Sequence, residues 1–142
     1  MIPVKFQSSH NVIKQNEKSE LAMLTQWIKL QYPNMIYRVD VGADQKLTIG
    51  QAKKNKSLQM SKRGYPDIFI AEPRFDGTMS HGLFIELKAS GTVIYKKDGN
   101  LRKNPHLEEQ ALMHKRLRTK NYSAEFVIGF ADCKKLIEWW MK

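Results

Sequence analysis

Leu21, Leu24, Trp27 and Ile28 recur three and four residues apart, the spacing that gathers side chains on one face of a helix. Asn16 precedes the run as a capping residue and Tyr32-Pro33 ends it, so the pattern predicts a helix from Asn16 to about Gln31, with Glu20 sharing a face with Leu24 and Trp27. Strand patterns follow in Ile36 to Val41, in GYPDIFI (64 to 70), in FIELKAS (84 to 90) and in Ala124 to Phe130. Lys96-Lys97-Asp98-Gly99-Asn100, between Val93-Ile94-Tyr95 and Leu101, has the turn chemistry of a hairpin tip, giving a hairpin over about 93–101. Asn104-Pro105 signals a helix start, and Leu107, Ala111, His114 and Leu117 trace its stripe, on which Gln110 also falls. Asp132 is the expected cap of a closing helix whose apolar surface comes from Leu136, Trp139 and Trp140. The order is αβββαβα, which predicts a mixed α/β fold with a central sheet flanked by helices. The segment from Lys46 to Arg63, rich in Lys, Gln, Ser and Asn, interrupts the pattern as an exposed basic insertion. At 142 residues, 1–142 is expected to form one domain.

Charge narrows the partners. Lys and Arg number 24 against 14 Asp and Glu, a formal charge of +10, which favours association with a polyanion, nucleic acid first. No run of about 20 apolar residues offers a membrane span, the lysines do not line one amphipathic helix, and MIPVKFQSSHNVIKQ lacks the apolar core of a secretory signal. A soluble cytoplasmic protein that binds no membrane is expected. Cys133 is the only cysteine, which excludes an internal disulfide and a zinc ribbon and leaves it as a small packing residue of the last helix. His10, His81, His106 and His114 lack the spacing of a histidine metal site.

Two strands carry charges that a plain core strand would not. Side chains at i and i+2 share a face, so Phe84, Glu86 and Lys88 project together while Ile85 and Leu87 go to the other side. Taken alone, Glu86 and Lys88 read as an exposed ion pair worth about 0–1 kcal/mol. Asp67 changes the picture, because the connection from Ala71 to Gly82 allows its strand to lie antiparallel beside that of Glu86. Carboxylates on strands about 4.8 Å apart repel unless a hard cation joins them, and Mg²⁺ is bound by one or two carboxylates together with water and phosphate. Glu20 is costly on an apolar helical face unless it meets a partner, and Gln110 brings an amide to such a site without adding charge.

G-Y-P-D (64 to 67) followed by E-L-K (86 to 88) resembles the motif pair of the PD-(D/E)XK nuclease superfamily. With the first-helix glutamate, HGLFIELKASGT and the GTVIYKKDGN hairpin leading to Gln110, the chain is more narrowly similar to the virus-type replication-repair nuclease domain, VRR-NUC, in its small stand-alone phage form. The resemblance implies a restriction-endonuclease-like sheet, a deoxyribonuclease activity that hydrolyses phosphodiester bonds, and a requirement for Mg²⁺ or Mn²⁺. It implies that Asp67, Glu86 and the Leu87 backbone carbonyl bind metal, that Lys88 serves the attacking water and that Gln110 supports the site. Glu20 is the first-helix acid for a second ion, with Glu17 competing one turn earlier. A structure-selective homodimer acting on branched DNA such as four-way junctions, in a bacterium or its phage, rests on the resemblance alone.

Contacts to DNA are expected from basic residues in exposed segments: Lys53, Lys54 and Lys56 in the insertion, Lys62 and Arg63 before the first motif, Lys96 and Lys97 at the hairpin tip, and Arg102 and Lys103 before the third-element helix. Such charges position phosphates without reading sequence. The alternative reading is a catalytically inactive nucleic-acid-binding module with the same fold.

Overall fold

A computed structural model describes residues 17–40, 48–60 and 63–142. Helix α1 (Glu17–Gln31) buries Leu24 and Ile28 fully and packs Leu21 and Trp27 beside them, as its spacing predicts. Asn16, its expected cap, lies outside the described residues. Strand β1 spans Tyr37–Val39, within the expected 36–41, and Asp40 extends its ladder by donating its amide to the Asp67 carbonyl at 2.7 Å.

The expected insertion holds a helix. α2 (Ile49–Leu58) begins with a capping box in which Thr48 accepts from the Gln51 amide and the Gln51 side chain accepts from the Thr48 amide. None of its residues is buried. The polar composition that suggests a loop is equally that of a solvated helix rich in Lys and Gln, which are good helix formers.

β2 (Ile68–Ile70) leads to a short ribbon, β3 (Arg74–Phe75) and β4 (Met79–Ser80), inside what the sequence suggests is a plain connection. β5 (Leu83–Lys88) is buried along its whole length. The expected hairpin follows, with Tyr95 bridged to Leu101 and the Lys96 amide donating to the Asn100 carbonyl at 2.8 Å. α3 (Pro105–Arg118) starts at Asn104, whose side chain accepts from the amides of His106 and Leu107. Its buried stripe is Leu107, Gln110, Met113 and His114; Ala111 and Leu117 lie at its margin, only half-buried.

β6 (Ser123–Ile128) stops short of Phe130, and α4 (Gly129–Trp140) starts earlier than the sequence suggests. The reason is Gly129, whose φ of 82° turns the chain directly from strand into helix. Asp132 therefore does not cap α4; it sits buried in the first turn, and Ile128 occupies the cap position without a side-chain bond. At the far end, Arg74 closes α4: its guanidinium lies 4.0 Å over the Trp139 ring, and Nη1 donates to the Trp139 and Trp140 carbonyls.

The sheet order is β1-β2-β5-β6, with β5 and β6 parallel and the other pairs antiparallel. α3 makes the crossover that a parallel pair requires. α1 and α4 cover one face, where Ile85, Leu87 and Val127 join Leu24, Ile28, Leu136 and Ile137. α3 covers the other, over Ile94, Leu107, Phe126 and Ile128. Cys133 is wholly buried, and burial together with Asp132 and Glu20 holds its thiol far above the usual range, which fits packing and not nucleophilic chemistry.

Candidate active site

The two motifs meet through strand register. Ile68 pairs with Ile85, and carrying that antiparallel register one residue further sets Asp67 opposite Glu86. Asp67 Oδ2 accepts from the Leu87 amide at 3.0 Å. A strand residue's N–H and C=O point to the same edge, so the Leu87 carbonyl faces that edge too.

Gly64 explains how the loop before Asp67 comes so close to α3. Its φ is 91°, and a Cβ there would lie 2.7 Å from the Glu109 carbonyl oxygen. A side chain at this point would push the first motif away from the helix that carries Gln110.

Glu86, Lys88 and Gln110 are 5%, 8% and 4% exposed, which rules out an ordinary surface ion pair. Gln110 lies between the two charges. Its Nε2 donates to Glu86 Oε1 at 2.5 Å, its Oε1 accepts from Lys88 Nζ at 2.9 Å, and Lys88 Nζ stands 3.6 Å from Glu86 Oε1. The amide cannot flip without facing donor to donor and acceptor to carboxylate, so the lysine and the glutamate fix its orientation.

Below this triad the floor is aromatic. Phe126, paired with Glu86 in register, has Lys88 Nζ 6.0 Å from its ring centre and the His114 ring at 4.5 Å. His114 is 1% exposed, and neither ring nitrogen has a hydrogen-bond partner among the described residues. Burial, then Arg118 and Lys88, push its pKa down to about 4, so the imidazole is neutral at physiological pH.

Glu20 is brought elsewhere. It is 1% exposed, and both carboxylate oxygens accept from Ser90, Oε2 from the backbone amide at 2.9 Å and Oε1 from the hydroxyl. Among the described residues no group of three or more His, Cys, Asp or Glu is placed to hold an ion. The register sets the Asp67 and Glu86 side chains and the Leu87 carbonyl at the same end of the β2–β5 pair.

The expected DNA-contacting residues are spread over separate exposed segments. Lys53, Lys54 and Lys56 are exposed on α2, Arg63 before Gly64, Lys96 and Lys97 on the hairpin, and Arg102 and Lys103 ahead of α3. Lys62 lies outside the described residues. Tyr122 packs edge-on against Phe69 and Phe84, with ring centres 6.0 and 5.4 Å apart.

Two site neighbours are not evident from motifs. His106 is exposed one turn before Gln110, with its Nε2 3.3 Å from Gln110 Nε2. That amide nitrogen is a donor, so the contact is a hydrogen bond in the tautomer that leaves His106 Nε2 as the acceptor. The i, i+4 spacing is the signal that would have found it. Asp40 is joined to Asp67 by the ladder, a relation that appears only once the strands are paired.

Protein-family profiles give no match to the chain, and neither do curated protein sequences. Among solved structures, a VRR_NUC domain protein superposes with a TM-score of 0.61 over 92% of this chain and 91% of its own, at 23% identity. At that identity the likeness is one of fold. The mixed four-stranded sheet flanked by helices is therefore the restriction-endonuclease-like fold of a VRR_NUC domain.

Proposed function

We propose that this protein is a metal-dependent DNA endonuclease that hydrolyses phosphodiester bonds at Asp67, Glu86 and Lys88. The observation that carries the reading is a buried Glu86–Lys88–Gln110 triad with Asp67 opposite Glu86 on the adjoining strand. Removing two opposite charges from water is expensive, and a fold needing only stability does better with apolar side chains there.

The donors fit Mg²⁺ or Mn²⁺: Asp67, Glu86 and the Leu87 carbonyl are hard oxygens at a strand edge, and no thiolate stands among them. When bound, such an ion supplies Lewis acidity and makes water a nucleophile near neutral pH. The chain's own residues do the rest. Asp67 is oriented by the Leu87 amide, and Gln110 fixes the Glu86 carboxylate. Lys88 Nζ donates to Gln110 Oε1 and stands 3.6 Å from Glu86 Oε1, a fixed position from which it orients the attacking water.

The exposed lysines and arginines offer phosphate contacts, and no helix among the described residues is long and apolar enough to cross a membrane. Because such contacts do not read bases, selectivity falls to DNA shape. Branched DNA, including four-way junctions, is the proposed substrate class, and a homodimer in the cytoplasm of a bacterium or a phage host is the proposed acting form.

The deciding experiment incubates purified protein with labelled junction, flap, gapped and plain duplex DNA in Mg²⁺, Mn²⁺ or EDTA. Parent protein nicks in either metal and is silent in EDTA. Asp67→Asn and Glu86→Gln lose at least about 10²-fold in rate yet retain DNA on a gel. Metal-independent turnover, or full turnover by either variant, refutes the reading; retention without cleavage by the parent supports the inactive binding module instead. Retention should also weaken roughly 10³- to 10⁵-fold between about 50 and 200 mM salt if six to ten phosphates are met.

A further inference from the structure

We propose that Glu20 is a positioning residue that fastens the end of β5 through Ser90, leaving Asp67 and Glu86 to hold a single ion. This rests on the reading of the site given above and departs from the role that the first-helix acid would have as a ligand for a second ion.

Both Glu20 oxygens are engaged by one residue, Ser90, through its amide and its hydroxyl. Ser90 lies two residues beyond Lys88 and is itself 7% exposed. The junction is closed from the third side by Gly129, the first residue of α4. A Cβ at Gly129 would fall 2.5 Å from Ser90 Oγ and 3.5 Å from Glu20 Oε1. α1, the end of β5 and the turn from β6 into α4 thus meet with no room for a methyl group.

That closure argues against an ion at Glu20. Mg²⁺ gives up its waters reluctantly and favours sites where several remain, whereas both Glu20 oxygens are taken by Ser90 donors and the Gly129 backbone closes over them. The same closure suits fastening. Lys88 is paired in register with Ile128, immediately before Gly129, and the chain turns after Ser90 with the Thr92 amide donating to the Ala89 carbonyl at 3.0 Å. Holding Ser90 by both its donors fixes the Ala89–Ser90 peptide, one residue beyond Lys88, and so steadies the strand end from which Nζ approaches Gln110 and Glu86.

A conservative replacement separates the roles. In Glu20→Gln the amide oxygen accepts from the Ser90 amide and the amide nitrogen donates to Ser90 Oγ, so fastening survives, whereas a ligand role does not. We would measure thermal midpoint, the number of Mn²⁺ bound per chain by titration calorimetry, and cleavage at saturating Mg²⁺ for the parent, Glu20→Gln, Glu20→Ala and Ser90→Ala. The expected result is a single Mn²⁺ in the parent and in all three variants. Glu20→Gln keeps its midpoint and cleaves within about twofold of the parent. Glu20→Ala and Ser90→Ala melt several degrees lower and cleave about 10- to 100-fold more slowly.

Two Mn²⁺ in the parent with one lost in Glu20→Gln overturns the proposal. So does Glu20→Gln melting as low as Glu20→Ala, or Ser90→Ala matching the parent in all three measurements. A parent that binds no Mn²⁺ and cleaves nothing defeats the nuclease reading and the single-ion claim with it. In that case the order of midpoints still decides the fastening, with Glu20→Gln above Glu20→Ala upholding it and equality overturning it.

Discussion

The two faces of the sheet are made from alternate residues of the same strand, and they do opposite things. Toward α1 and α4, Ile85 and Leu87 enter an apolar layer with Leu24, Ile28, Val127, Leu136 and Ile137. Each of these is 0–2% exposed, and burial at about 25 cal/mol per Å² makes this the stabilising side. Toward α3, Glu86 and Lys88 take two charges out of water beside Gln110 and an aromatic floor. That side costs free energy unless every group is satisfied. The contrast teaches that β5 can carry an expensive polar row because its other row is anchored, and that a three-residue motif, E-L-K, alternates between the two purposes.

Breaking one member of the polar row should have the largest effect on stability. Glu86→Leu strands the Lys88 ammonium and is expected to cost about 3–5 kcal/mol in denaturant unfolding. Replacing Glu86, Lys88 and Gln110 together by Leu, Met and Met should restore or exceed parental stability while leaving no cleavage. If the single change proves harmless, or the triple one remains as costly as it, the two faces do not differ as argued. On the apolar side Leu87→Ala should cost about 2–5 kcal/mol, with no apolar substitution elsewhere to recover it in one step.

A smaller effect sharpens the comparison through pH. His114 binds a proton in the folded protein only near pH 4, whereas the unfolded chain does so near 6.5. The neutral form is the one the fold accepts, so its contribution is whole above about 6.5 and declines as pH falls toward 4, by up to about 3 kcal/mol. His114→Phe should flatten that part of the stability profile; an unchanged slope would remove His114 as its source. Gly64→Ala should come next, at about 1–3 kcal/mol for a side chain forced into φ near 91° against the Glu109 carbonyl. Its unfolding midpoint should drop in denaturant with no change in slope.

Much of this arrangement is legible before any coordinates, for identifiable reasons. The alternation in FIELKAS predicts which residues share a face, and Asn104-Pro105 predicts the start of α3, because strand period and capping are local rules. The mixed α/β class follows from the order of the elements, while the restriction-endonuclease-like sheet rests on the motif resemblance. The departures are tertiary or depend on a single backbone angle. α2 has no apolar stripe to announce it. Gly129 begins α4 through a left-handed φ, so Asp132 is not the cap that its residue type suggests. Glu20 has the burial expected of an acid with a partner, but only the meeting of α1 with the end of β5 identifies that partner as Ser90.

α2 has a consequence for experiments that follow backbone amides. None of its ten residues is buried and the Thr48–Gln51 box closes its first turn, and isolated helices of that length are marginal in water. Its amides should trade hydrogen for deuterium on the timescale of local fraying, while those of β5 wait for far larger openings. Slower exchange in α2 when DNA is added would mark the lysines on that helix as touching phosphate, a report from an element whose baseline the core does not set.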